Sequence, residues 1–170
     1  EYTERIDVSS FENVYIHDCV FRDISSSGDG GALYCSNSVD RLLVEQSSFI
    51  SCITSYTYGG GICSYSGQCV LSRICAFNCC STNSSYSYGQ FAYIDSTIKN
   101  NVNDSSITHT LKKSTLSCHA LHLRNGNISC PSVILHYAVS HYHQAHVTYH
   151  TAHLSTTQPT EVVVVLSLTQ

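Results

Sequence analysis

Charge is scarce in this chain: Asp, Glu, Lys and Arg make up 12% of its 170 residues, about half the quarter usual in globular proteins. Hydrophobic residues are 42%, an ordinary share, so the low charge does not mark a disordered acidic or basic tail. Eight cations stand against 12 acids, a net charge of -4. No basic field is offered to a phosphate backbone, which excludes nucleic acid as the expected partner. Methionine and tryptophan are absent and the first residue is Glu1; the chain is expected to be cut from a longer protein, with any signal peptide outside it. The longest purely apolar run, residues 162–166, falls far short of the ~20 residues that span a bilayer. No membrane span is expected, and no Gly-rich phosphate loop, nucleophile elbow or His-Glu-x-x-His helix occurs. Ser, Asn, Thr and Tyr fill the places that charge leaves, in a length suited to one domain.

What is present is a repeat. Phe21, Phe49 and Phe77 stand 28 residues apart, and a fixed period of ~20 to 50 residues decides an architecture. Val14, Leu42, Val70 and Ile98 form a column seven residues before each ruler position, Ile16 and Val44 another. Two residues before the ruler come Cys19, Ser47 and Cys75; three after it come Ile24, Cys52 and Cys80. A glycine step follows in each unit: Gly30-Gly31-Ala32-Leu33, Gly59-Gly60-Gly61-Ile62, and the degenerate Gly89-Gln90-Phe91-Ala92. The loop before that step lengthens from unit to unit, which sets the next ruler position near Ile107. A weaker fifth unit is read between Cys118 and Leu135, with Ala120-Leu121-His122-Leu123 at its glycine step.

Apolar residues alternate over short stretches, and β-branched and aromatic residues abound, which are strand signals. Clusters of Ser, Gly and Asn punctuate the chain about three times per unit, so each unit reads as three short strands and three turns closing one coil. The expected fold is all-β: a right-handed parallel β-helix, about 28 residues per coil, over residues 6–135. Phe21, Phe49 and Phe77 are expected to stack inside it, with Val14, Leu42, Val70 and Ile98 as a second inward column. About five coils are expected, followed by a His-rich, poorly ordered tail, residues 136–170.

The order Cys-x-Phe-x-x-Cys, a small polar loop, then Gly-Gly-Ala/Gly-Leu/Ile resembles the parallel β-helix repeats of the polymorphic outer membrane protein type. It resembles still more the Cys-rich surface-protein relatives found in parasitic protists. Gly30 to Leu33 fits the Gly-Gly-Ala-Ile step of those repeats, while Ile24, Cys52 and Cys80 replace the Asn of their Phe-x-x-Asn step. The resemblance spans roughly the first three quarters of the chain. It implies a pectin-lyase-like fold and a cell-surface or adhesive role, with no active site inherited.

Ten cysteines admit two readings, a ladder of buried thiols or one or more disulfides. Cys52 and Cys80, 28 residues apart, are the pair expected to meet as vertical neighbours. Zinc is not expected, since Cys75, Cys79 and Cys80 lack a second pair at ligand spacing. Asn83, Asn103 and Asn127 each begin an Asn-x-Ser triplet and are candidate glycosylation sites, which with the cysteines points to an extracellular or cell-surface location.

A search for catalytic carboxylates along the columns finds His17, Glu45, Arg73 and Asn101 in one, and Asp18, Gln46, Ile74 and Val102 in the next. This is the pattern of a coil-to-coil ion pair rather than of an acid and base pair. No catalytic residue, cofactor or metal site is assigned. Tyr56, Tyr58, Tyr86 and Tyr88 sit in the loops before the glycine step and are candidate ligand contacts, since Tyr with Ser and Gly is an adaptable recognition vocabulary. Nine of the ten histidines lie between His109 and His153; His136, His143, His146, His150 and His153 would share a helical face, but the residues between them are poor helix formers. An edge-strand extension and an out-of-frame continuation remain open for this tail. The expected function is that of a non-catalytic Cys-rich solenoid used for adhesion or as a spacer, touching a host or matrix glycan or protein and its own neighbouring coils. The alternative is a carbohydrate-binding or carbohydrate-active module.

Overall fold

Short stretches of alternating apolar and polar residues, interrupted by residues that tolerate a left-handed backbone, can build strands only a few residues long, and such strands are stable only when stacked. The computed structural model of the chain describes residues 1–10, 13–83, 87–111, 120–139, 155–156 and 162–163. It is a parallel β-solenoid of about four turns, about 28 residues each. The first turn holds β1 (Ile6–Val8), β2 (Asn13–His17), β3 (Val20–Arg22) and β4 (Ser25–Ser26). The second holds β5 (Leu33–Cys35), β6 (Arg41–Glu45), β7 (Ser48–Ile50) and β8 (Ile53–Thr54), and the third β9 (Ile62–Ser64), β10 (Gln68–Ser72), β11 (Cys75–Phe77) and β12 (Cys80–Ser81). Then come β13 (Ala92–Asp95), β14 (Lys99–Asn103) and β15 (Ser105–Leu111), followed by β16 (Leu121–Arg124), β17 (Asn127–Ser129) and β18 (Val133–Val139).

Like strands stack on like strands. The first ladder runs β1-β5-β9-β13-β16, the second β2-β6-β10-β14-β17, the third β3-β7-β11-β15-β18, all parallel. A fourth ladder, β4-β8-β12, was not expected; its strands have two residues each. The segment read as a fifth unit adds one strand to each of the first three ladders. Beyond it, β19 (Ser155–Thr156) and β20 (Val162–Val163) pair antiparallel with β17 and β16. His136 to Val139, expected to begin the tail, belong to β18; the helical face expected of His143, His146, His150 and His153 lies outside the described residues, as do Cys118 and Tyr86.

The corners between ladders are cut by left-handed residues. Asp18, Gln46, Arg73, Asp104 and Ser132 turn the chain from the second ladder to the third, and Asp23, Ser51 and Asn78 from the third to the fourth, all at positive φ. Gly30, Gly59 and Gly89 make the matching corner before the first ladder. At Gly59, φ is +60° and a Cβ would lie 1.9 Å from the Ile62 carbonyl oxygen, so only glycine fits.

The phenylalanine ruler holds for two turns and then slips. Phe21 and Phe49 are fully buried, in register, with parallel rings 4.7 Å apart. The third residue of the column is Ala76; Phe77 pairs with Ile50 on the outer side and is 50% exposed. The column runs 21, 49, 76, 107, 135, so against the spacing of 28 between Phe21 and Phe49 the turn from Phe49 to Ala76 is one residue short and the turn from Ala76 to Ile107 three residues long. Ile107 occupies the expected ruler position and is buried. In a strand of period 2, a one-residue slip exchanges the two faces. Val70 is accordingly turned outward beside Leu43, and Cys69 takes its place under Leu42; Ile98 is 59% exposed, and the buried Asn100 fills the column instead. Asn100 donates to the carbonyl oxygens of Arg124 and Asn125, both at 2.8 Å. The same slip sets Cys75 opposite Ser48 rather than in the Cys19 column.

The volume lost at Ala76 is recovered from the opposite wall. Phe91 stands in the column of Ala32, Gly61 and Ala120, and its ring meets Phe49 edge-on at 5.4 Å. Gly61 makes the room, since a Cβ there would lie 2.6 Å from the Phe91 ring. We expect Phe49→Ala and Phe91→Ala each to lower unfolding free energy by about 3–5 kcal/mol through the cavity left behind, while Phe77→Ala stays within about 0.5 kcal/mol. Urea unfolding of the three variants checks this, and a large loss from Phe77→Ala would contradict the observed register.

Candidate functional site: an aromatic face on the first ladder

Within the first ladder, Leu33, Ile62, Ala92 and Leu121 point inward in register. The pleat then turns the next residue of each strand outward: Tyr34, Cys63, Tyr93 and His122 form one outer column. Beside it stands a second, Asp29, Tyr58 and Tyr88, at the residues just before the glycine corner. Because that corner folds back sharply, the second column lies against the first.

The rings make a continuous cluster. Tyr58 lies 4.3 Å from Tyr93 and 5.8 Å from Tyr88; Tyr93 stacks on His122 at 5.1 Å, and Tyr88 meets the edge of His122 at 5.2 Å. Tyr65 joins Tyr93 at 5.9 Å and Tyr34 at 6.1 Å, extending the cluster toward the first turn. Tyr93 and His122 are buried beneath the others, whereas Tyr34, Tyr58, Tyr65 and Tyr88 are part-exposed. Charged groups mark the margins. The Arg5 guanidinium lies over the Tyr34 ring at 5.3 Å and pairs with Asp7. At the other end Arg124 donates to the Tyr93 hydroxyl at 3.4 Å and approaches Asp95, which accepts from Asn125 at 2.6 Å.

Burial governs the proton chemistry of this face. It pushes the phenols of Tyr34, Tyr58, Tyr65 and Tyr93 and the Cys63 thiol above their ordinary values. The Asp29 carboxyl is also raised by burial, against which the Tyr58 backbone N–H, donating at 2.9 Å, pulls it back. The face is therefore neutral and hydrogen-bonding at its centre and charged at its rim.

Of the tyrosines singled out from the sequence, Tyr58 and Tyr88 belong to this cluster. Tyr56 is 52% exposed and joins no ring contact among the described residues. Tyr34, Tyr65, Tyr93 and His122 were missed, although alternation from the inward Leu33 and its counterparts places three of the four on the outer side. Glu45 does form the inter-turn ion pair with Arg73 and accepts from the Tyr15 hydroxyl at 2.8 Å; these two hydrogen bonds, the Tyr15 one first, lower its pKa. Its column is His17, Glu45, Ser72 and Asn103, with Arg73 on the adjoining corner. Among the described residues no group of three or more His, Cys, Asp or Glu is placed to hold a metal ion, and no helix is long and apolar enough to cross a membrane.

The candidate glycosylation residues differ in setting. Asn127 is exposed on β17, Asn83 donates to Thr57 at 3.4 Å, and Asn103 is part-buried and donates to Ser72 at 3.0 Å. Comparison of the chain with protein-family models, curated proteins and solved structures finds no match.

The raised phenols make a pH prediction. The folded chain holds these protons more tightly than an unfolded chain does, so their contribution to stability is full below about pH 10, where free tyrosine titrates, and is lost as pH rises through the folded values. The urea midpoint is expected to fall above about pH 10, and phenolate absorbance to appear at higher pH in the folded than in the unfolded chain. Coincident phenolate titrations would show that the rings are open to water.

Proposed function

We propose that this chain is the non-catalytic, Cys-rich solenoid of a secreted or cell-surface protein, and that the aromatic face of its first ladder is its adhesive surface. The solenoid is read as right-handed and pectin-lyase-like, the hand that parallel crossovers adopt in about 98% of cases. Its repeat style resembles that of Cys-rich surface proteins of protists, which supports the reading. The observation that carries the reading is the gathering of Tyr34, Tyr58, Tyr65 and Tyr88 over buried Tyr93 and His122, rimmed by Arg5, Asp29, Asp95 and Arg124. Tyrosine supplies contact area at small entropic expense, with a hydroxyl for hydrogen bonding. Stacked turns hold that area rigid, which lowers the ordering cost of binding.

A glycan is the second reading, favoured by phenol rings beside carboxylates and guanidinium groups, which suit the apolar faces and hydroxyls of a sugar. The partner is thus a matrix glycan or protein. Binding to immobilised glycans and matrix proteins tests the proposal. Tyr34→Ala combined with Tyr88→Ala is expected to weaken capture at least tenfold with an unchanged far-ultraviolet spectrum. Equal capture by the double variant would remove the face from the binding site. Glycan cleavage that disappears in Glu45→Gln would overturn the non-catalytic assignment.

A further inference from the structure

The one-residue slip that displaces Phe77 also changes which cysteines meet. Cys80 lies opposite Ile53, so Cys79 is the residue one turn below Cys52. Both follow a left-handed corner residue, Ser51 and Asn78, and both point into the core, 0% and 1% exposed, whereas Cys80 is part-exposed. The Cys79 thiol lowers the pKa of Cys52, while burial, together with the Cys52 thiol, raises that of Cys79, as expected of neighbouring sulfurs. Each also reaches the turn before: Cys52 Sγ donates to the Phe21 carbonyl oxygen at 3.6 Å and Cys79 Sγ to that of Phe49 at 3.4 Å. The cysteines Cys35, Cys63, Cys69 and Cys75, which lie within strands, lack this geometry. Cys35 stands beside Ser64, Cys63 beside Tyr34 and Tyr93, Cys69 beside Leu42 and Asn100, and Cys75 beside Ser48 and Ser106.

We propose that Cys52 and Cys79, free thiols in this structure, are the site of an inter-turn disulfide that staples the second turn of the solenoid to the third. Neighbouring parallel strands are about 4.8 Å apart, inside the ~4.4–6.8 Å between Cα atoms that a disulfide spans, so the backbone need not move. The oxidant is a small disulfide such as oxidised glutathione. One protein thiolate attacks it and releases one glutathione thiol; the second protein thiolate then displaces the other, forming the Sγ–Sγ bond. Two protons and two electrons leave the protein, and one glutathione disulfide becomes two thiols. Both thiols are at most 1% exposed, which keeps a glutathione disulfide from reaching them in the folded state. The exchange therefore takes place while β8 and β12 are undocked, and their ladder, the shortest of the four, is the last to gain its pairing and the first to open.

The test uses the whole chain, refolded in a buffer of reduced and oxidised glutathione. Remaining thiols are blocked with one alkylating label, disulfides are then reduced, and a second label is applied before fragment mass spectrometry. The second label is expected on Cys52 and Cys79, with Cys80 carrying the first. Cys80→Ala should keep the bond and Cys79→Ala should lose it; reducing the bond should lower Tm by roughly 5–10 °C. Should Cys79→Ala fail to fold, the labelling of the unaltered chain decides by itself. A second label on Cys52 and Cys80, or Cys52 free in a chain refolded to its β-rich spectrum, would overturn the proposal. Neither outcome bears on the aromatic face, which is tested by binding.

Discussion

Everything in this molecule depends on one condition: each residue must tolerate its counterpart one turn above and one turn below, at the spacing of hydrogen-bonded strands, about 4.8 Å. Flat rings meet that condition well, which is why Phe21 and Phe49 lie parallel in the core and why Tyr93 lies along His122 outside it. Like charges meet it badly, and the low charge of the chain follows from the architecture as much as from its surroundings. Where charge does stack, it alternates in sign, as in the Glu45 and Arg73 pair. Small hydroxyls meet it by relaying the backbone. Ser47 and Ser105 each accept from an N–H in the turn above, those of Cys19 and Ile74, while donating to a carbonyl of their own turn.

The condition applies to positions in the ladder and not to positions in the sequence, and this difference set what could be read from residues alone. A period near 28, parallel pairing, the glycine corner and the burial of Phe21, Phe49 and Ile107 were all legible, because spacing and residue type agree there. The exchange of Ala76 for Phe77 was not. One residue is dropped between Glu45 and Ser72, which pair in register only 27 apart, and an identical letter at the expected interval concealed the drop. Composition offered no warning, since Ala76 looks like a spacer and Phe77 like a core residue. The warning lay in the next unit, where the small residue of the glycine step is replaced by Phe91. Two anomalies of opposite sign, a ring lost from one wall and a ring gained on the other, fill one volume. Close packing permits such an exchange only between walls that touch.

The aromatic face was half legible for a related reason. Loops draw attention because they vary, so Tyr58 and Tyr88 stood out, yet what makes them a surface is the strand beside them. Tyr34, Tyr93 and His122 are assigned by the period of 2 once Leu33 and its counterparts are placed inside. Tyr65 required the fold, because it follows β9 and reaches Tyr93 across the turn. A recognition surface in a solenoid is thus written in columns that cross the units, and inspection of any one unit shows at most two of its members.

The strands at the two sides of the stack obey the same pairing rule. An unpaired strand edge offers a row of donors and acceptors to any passing chain. At the N-terminal side, Tyr2 forms a bridge to Phe21: its N–H donates to the Val20 carbonyl at 2.7 Å, its own carbonyl accepts from Arg22 at 3.0 Å, and its ring stacks on Phe21 at 5.2 Å. At the other side, β19 and β20 lie antiparallel along β17 and β16. The apolar, β-prone run that begins at Val162, whose composition favours self-association, thereby places Val162 and Val163 in a pairing within their own chain. Reversal of strand direction matters here, because an antiparallel partner spaces its donors and acceptors differently from the parallel strands it covers, so the register that propagates through the ladder is interrupted at that strand.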